Sequence, residues 1–342
     1  MSRIQSPAFG NWFRFAVGDE AMLSGILYAG ALYAGMKREI LWYYGETVRI
    51  VGGRLKEELE RVGNEGEMGE GGDEGTGAVS CLAVGEAMAG RQELWRIHME
   101  GIKNMLKVRK SNKPLPGMVE AKIRRADITG ATTYATHPSL SYTPSPNPPI
   151  WTILPPALRL SLLLDSKSFF EKTSISPPLI PVLTNLILFT KTISLASKTK
   201  TKLDPDTFTD NLWALEYQLT SSREGERAIE KGMRFACLLY LKAVLGDSDS
   251  GSRAMLEGMR DSLCGRDVGM GVSAQKMEVW VWIAGVGACF SRAGSLIRGS
   301  FVGVLEGVGA GEVLSGGEIV KLLNLSEVFG GGLERLVEAV RS

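Results

Sequence analysis

Histidine, cysteine and clustered carboxylates are the side chains from which reactive sites are most often built. This sequence has two histidines, His98 and His137, and four cysteines, Cys81, Cys237, Cys264 and Cys289. Nucleophilic catalysis needs a base beside its nucleophile, most often an imidazole. His98 falls on the apolar stripe of a predicted helix, where a hydrogen-bonded core histidine is expected. His137 precedes Pro138 at the head of a proline-rich loop. The cysteines are far apart, with no C-x-x-C pair and no disulfide framework, so buried reduced thiols are expected.

Zinc sites want four Cys or His ligands at close spacing, and no such set occurs. Asp204 and Asp206 fit a helix start, as cap and dipole partner, better than a metal site. Gly307-Val308-Gly309-Ala310-Gly311 lacks the Lys-Ser/Thr ending of a phosphate loop and the strand and helix that would flank it. No catalytic, cofactor-binding or metal-ligating residue is assigned, and an enzyme is not expected.

Between Arg96 and Arg125 the chain is locally basic: Lys103, Lys107, Arg109, Lys110, Lys113, Lys122 and Arg124 face only Glu100 and Glu120. Such a patch can release counterions from a phosphate backbone. With no aromatic residue beyond Trp95 to stack on bases, it reads as a solvated helix face. Lys107 to Lys110 and Lys198 to Lys202 are short nuclear-import candidates.

The elements that must position these residues follow from composition and period. The chain has 342 residues, 44% apolar and 23% charged, with a formal charge of +1. That is globular composition, and no global field draws the molecule to nucleic acid or an anionic membrane. The start lacks the pattern of a secretory signal, which reads as intracellular. Pro181 to Ala196 is interrupted by Lys191 and Val279 to Phe290 is too short, so a membrane span is not expected.

Ala21 to Met36, capped by Asp19, predicts a buried helix. Tyr44, Val48, Val51, Leu55 and Leu59 predict an amphipathic one, and Leu94, His98, Gly101, Met105 and Val108 another. Between them, Gly63 to Gly77 is Gly-rich and acidic (Glu65, Glu67, Glu70, Asp73, Glu74) with too little apolar surface to offset its ordering entropy. Residues 61–80 are therefore expected to be a flexible insert. Five prolines from Pro138 to Pro149 make residues 138–150 a loop or internal linker, and further prolines leave Leu158 to Leu164 at most a short helix.

Asp204-Pro205 starts a helix carrying Phe208, Leu212, Leu215 and Leu219. Ile229, Gly232, Ala236, Leu239 and Ala243 form the next, which Gly246 would stop, and Leu256, Met259 and Leu263 a short third. Trp280 to Phe290 reads as a buried helix rather than a strand. Two short helices, near Gly317 to Leu325 and Gly332 to Val340, would close the chain. With no hairpin signal, no βαβ alternation and no fixed-period repeat, the expected fold is all-α: a compact multi-helix array with long irregular loops, residues 1–342 forming one domain.

His98-Met99-Glu100-Gly101-Ile102-Lys103-Asn104-Met105 resembles the H-x-x-G-[LI]-x-x-[ML] segment of the fungal-specific transcription factor regulatory domain. That domain is the helical region following a binuclear zinc-cluster DNA-binding domain. Other segments agree in order. Asn11-Trp12-Phe13 leading into Ala21 to Tyr33 resembles the family's opening helix. Arg125 to Ala131 followed by His137-Pro138 resembles its aspartate-containing stretch ending in an X-Pro turn, with the aspartate suited to a helix boundary. Ala236 to Leu241 and Trp280 to Gly285 resemble its most apolar helices.

The chain departs from the pattern at Lys110-Ser111-Asn112, where the family has Gly-Gly, and it lacks the six clustered zinc-binding cysteines. The resemblance implies a nuclear regulatory module without its own sequence-specific DNA reader, either stand-alone or missing an upstream one. It would act through protein partners of the transcription machinery, a homo-oligomeric contact or a small-molecule effector. It implies no cofactor and no membrane. The alternative is a helical sensing or scaffold domain with no role in transcription.

Overall fold

The computed structural model describes residues 16–65, 72–109, 115, 117–143, 147–173, 175–221, 226–245, 253–264, 274–292 and 294–307. Among them are twelve α-helices, one 3-10 helix and no strand, so the fold is all-α. The chain divides into two compact units, one of Gln5–Tyr142 and one of Thr143–Ser342 with Met1–Ile4. The division falls inside the proline-rich segment, where few backbone donors remain to build pairing across it.

The first unit contains α1 (Glu20–Ala34), α2 (Lys37–Glu65), α3 (Gly72–Met88), α4 (Gln92–Val108) and α5 (Gly117–Tyr134). Asp19 caps α1 by accepting the Met22 N–H at 2.9 Å, and its other oxygen pairs with Arg54 of α2 at 2.7 Å. α1 ends at Gly35, whose φ of 68° is left-handed backbone that a Cβ would oppose.

α3 packs against all four of the other helices. Much of the expected flexible insert is thus ordered: residues 61–65 continue α2 and residues 72–80 belong to α3. Low helix propensity is overridden because missing side chains let neighbours close in. A Cβ on Gly77 would stand 2.7 Å from Met22 Sδ, and one on Gly85 2.7 Å from the Tyr28 ring. Asp73, from the same acidic stretch, grips Arg109 through two contacts, 2.7 and 3.1 Å.

The buried line of α4 is Trp95, Met99 and Ile102, one residue on from the predicted stripe, so His98 lies on its flank. Gly101 has open space around it, whereas a close helix approach falls at Gly130 of α5, where a Cβ would stand 1.9 Å from the Trp95 indole.

In the second unit a 3-10 helix, Ile150–Ile153, precedes α6 (Pro156–Glu171), α7 (Ile180–Thr199), α8 (Pro205–Thr220), α9 (Ala228–Leu245), α10 (Arg253–Leu263), α11 (Ala274–Phe290) and α12 (Leu296–Gly307). α6 is much longer than the short helix expected, because Pro155 and Pro156 sit at its start, where a missing N–H costs nothing. α7 is long and apolar enough to cross a membrane, but over half of its most apolar stretch is buried against protein.

Asp204 caps α8 by accepting the Thr207 N–H at 2.9 Å, with Pro205 at the first helical position as predicted. Glu230, at the third position of α9, accepts the Arg227 N–H at 3.1 Å, one half of a capping box. It also accepts the Ser176 N–H at 2.5 Å. These backbone donors hold its carboxyl below the usual range even though burial acts the other way. Val279 to Ala288 is buried all round in α11, a helix and not a strand. The two helices expected after residue 307 lie outside the described residues.

Candidate functional site

A polar cluster inside the first unit gathers around Glu86, a carboxylate buried near the end of α3. Its sequence neighbourhood, Ala83 to Met88, is otherwise uncharged, and a lone carboxylate in an apolar helix was the signal that could have revealed it. Tyr28 of α1 donates its hydroxyl to Glu86 Oε1 at 2.5 Å. Arg91, which leads into α4, donates Nε to Glu86 Oε2 and a terminal N–H to the Tyr28 oxygen. Carboxylate, phenol and guanidinium therefore close a ring of contacts joining α1, α3 and the α4 entry.

Four further rings surround this group. Tyr44 of α2 lies 5.5 Å from Tyr28 and 6.1 Å from His98, measured between ring centroids. Tyr134 of α5 donates to the main-chain oxygen of Glu86 at 3.2 Å and rests 5.6 Å from Trp95. Trp95 in turn donates its indole N–H to the Ala126 carbonyl at 3.0 Å, across the space left by Gly130.

Burial, reinforced by the Glu86 hydrogen bond, pushes the Tyr28 phenol well above its ordinary range, and burial also raises Tyr44 and Tyr134. All three stay protonated donors near neutrality. His98 moves the other way, because burial favours the neutral imidazole despite the attraction of Glu86. Its Nε2 is buried with no hydrogen-bond partner, which departs from the satisfied core histidine expected. The cluster can therefore bind a polar group or hold helices together. As a nucleophile, a phenol held protonated is poor.

The other residues singled out in the sequence do not join this cluster into one reactive centre. His137 stands in the extended segment after α5, and Asp204 caps α8 in the other unit. Among the described residues no group of three or more His, Cys, Asp or Glu is placed to hold a metal ion. All four cysteines are free; Cys81 and Cys237 are buried as expected, whereas Cys264 is exposed and Cys289 half-buried.

The basic segment is largely self-compensated. Arg109 pairs with Asp73, Arg124 with Glu120 at 2.5 Å, Lys103 with Glu100 at 3.4 Å and Arg96 with Glu93 at 3.7 Å. Lys122 is mostly buried, and that burial lowers its pKa. Lys110 and Lys113 lie outside the described residues, as do Val308 to Gly311. Asp127, expected at a helix boundary, is instead buried in the middle of α5. Its carboxylate reaches past the His137-Pro138 turn to the main chain of Ser139 and Leu140.

No family model matches the sequence, and neither a curated protein nor a solved structure is significantly similar to it.

Proposed function

We propose that the chain is a helical regulatory domain of the transcription-regulator type, working in the nucleus through protein or effector contacts and lacking a zinc-cluster DNA reader. The observation that carries this reading is the ordered series of segments from Ala21 to Gly285 that resembles the fungal-specific regulatory domain. In keeping with it, those segments occupy helices of an all-α array, and Ala236 to Leu241 and Trp280 to Gly285 are wholly buried. Partners of the transcription machinery, or a second copy of the chain, would meet its outer helix faces. Direct sequence-specific DNA binding and membrane association form no part of this function. Tethering the full chain to a heterologous DNA-binding domain should raise or lower reporter output. Unchanged output from a stably expressed fusion overturns the proposal.

A second reading, a helical small-molecule sensor with no role in transcription, draws on the cluster in the first unit. His98 Nε2 is an unsatisfied buried polar atom beside Tyr44 and Glu86. A guest donating or accepting one hydrogen bond there would remove a desolvation penalty. Thermal-shift screening separates the two readings, because a ligand that binds only the folded chain raises Tm. A shift abolished by His98→Phe favours the sensor.

A further inference from the structure

The inward face of α2 is centred on Thr47 and Val51, both buried, with Tyr44 and Leu55 of the predicted stripe half-buried beside them and Val48 of that stripe turned outward. The exposed face about a third of a turn away is the unusual one. Leu41 is 75% exposed, Trp42 63% and Val48 46%. Gly45 and Gly52 are exposed too, with open space where a Cβ would point. Leu41, Gly45, Val48 and Gly52 follow one another at steps of four, three and four. That is the spacing of a coiled-coil seam, and the two bare glycines let another helix backbone approach closely.

Charge beside the seam is basic as far as Lys56, with Glu60 exposed on the same flank one turn further along. Trp42, Arg49 and Lys56 recur every seven residues along one flank, and Arg38 stands at the head of the same side. Lys37, Arg38 and Lys56 are exposed and, among the described residues, have no ion-pair partner. Arg49 bonds Glu46 at 2.6 Å, an exposed pair of the kind that contributes little and exchanges readily. Glu39, Glu46 and Glu57 are turned roughly 60° to 100° further from the seam than Arg49 and Lys56, at about 100° per residue.

We infer that this face of α2 docks an amphipathic helix of another protein, with apolar residues on the seam and acidic residues along the flank beside Arg49 and Lys56. The inference names the kind of partner for the regulatory reading above and rests on it. A second copy of the chain fits worse: antiparallel self-pairing of the seam sets Arg49 and Lys56 against their own counterparts, and like charges facing each other oppose association. An anionic bilayer fits worse as well. Bilayer binding scales with inserted apolar area, which two exposed glycines do not supply.

The test uses the full chain and two fluorescein-labelled helical peptides of three heptads, about 21 residues. Both carry Leu on the seam; one has Glu on the flanks and the other Lys. Fluorescence anisotropy should show binding of the Glu peptide and not the Lys peptide. Val48→Asp should weaken the Glu peptide about ten-fold or more, and Arg49→Glu with Lys56→Glu should reverse the preference. These positions are exposed, and urea unfolding checks that each variant is as stable as the parent.

Equal binding of the two peptides, or binding unaffected by Val48→Asp, overturns the inference. So does sedimentation showing a dimer of the free chain that Val48→Asp dissociates. Binding to phosphatidylserine-containing vesicles, lost in Val48→Asp while the Glu peptide stays unbound, also overturns it. A reporter response with no peptide binding removes this inference and leaves the regulatory reading standing; peptide binding with a silent reporter does the reverse.

Discussion

Asp127 Oδ1 accepts the backbone N–H of Ser139 at 2.6 Å, and Oδ2 accepts that of Leu140 at 2.9 Å, so a side chain in mid-helix pins the strand of chain that leaves α5. The pair serves where regular structure cannot. Pro138 ends the helical pattern and leaves its successors without carbonyl partners, and a buried carboxylate supplies two acceptors at once. Asp127→Ala should therefore loosen this segment first, at a cost of about 2 kcal/mol for hydrogen bonds to a charged acceptor. Hydrogen exchange at Ser139 and Leu140 should accelerate while far-UV helicity persists. Unchanged protection at both amides would contradict this assignment.

Glu86 should be far less dispensable than the phenol that binds it. Tyr28→Phe removes the hydroxyl's bond to Glu86 and the one it accepts from Arg91 but leaves the carboxylate its arginine, a loss of about 1 to 2 kcal/mol. Glu86→Ala strands the Tyr28 hydroxyl and the Arg91 guanidinium together, and breaking a buried pair costs about 3 kcal/mol. Arg91, partly exposed, can recover some hydration, which places the figure at the lower end of the range. Urea unfolding of both variants reads the difference. Equal losses would mean that the three groups do not act as a unit.

Two glycines give a matched contrast in packing. At Gly130 an added methyl meets the Trp95 indole at 1.9 Å, and the ring cannot yield without disturbing its contact with Tyr134. Gly130→Ala should destabilise by about 2 kcal/mol or more, as overpacking does. Gly45→Ala, in open space on α2, should stabilise by about 0.5 to 1 kcal/mol through helix propensity alone. Thermal unfolding of the two variants should move Tm in opposite directions.

Much of the helical order was legible because caps and periods are local. Asp19 and Asp204 cap as their sequences imply, and Phe208, Leu215 and Leu219 bury as their spacing requires. What was not legible depends on neighbours distant in sequence. Gly77 and Gly85 look like helix breakers until Met22 and Tyr28 are brought against them. The Glu86 cluster draws Tyr28, Tyr44, Arg91 and His98 from different elements, and no spacing announces that meeting. Val48 seemed to belong inside α2 because its face also carries apolar residues, and periodicity alone cannot say which of two such faces turns inward.

His98 gives the chain a pH dependence of known sign. Burial makes the folded imidazole hold its proton less tightly than its ordinary value of 6.5, so below that value the unfolded chain binds more protons than the folded one. Stability is complete above 6.5 and declines as pH falls toward the folded value. His98→Leu removes the proton site and should flatten the stability profile between about pH 7 and pH 5, before the carboxylates titrate. An unaltered slope in urea unfolding across that interval would show that the imidazole is not responsible.

The four thiols should react with a neutral alkylating or disulfide reagent in an order set by access and by thiolate content. Burial raises Cys81 and Cys237 above the ordinary thiol range and pushes Cys289 up to about 11, so few of these sulfurs are ionised at neutral pH. Cys264 is exposed after the end of α10 and should be modified first in the native chain. Cys289, half-buried near the end of α11, should follow slowly, and Cys81 and Cys237 should require denaturant, since reaction needs both the thiolate and a path to it. Peptide mapping after timed alkylation distinguishes the sites. Modification of Cys237 as fast as Cys264 without denaturant would mean that α9 opens readily to solvent, which its wholly buried Ala236 to Leu241 stretch argues against.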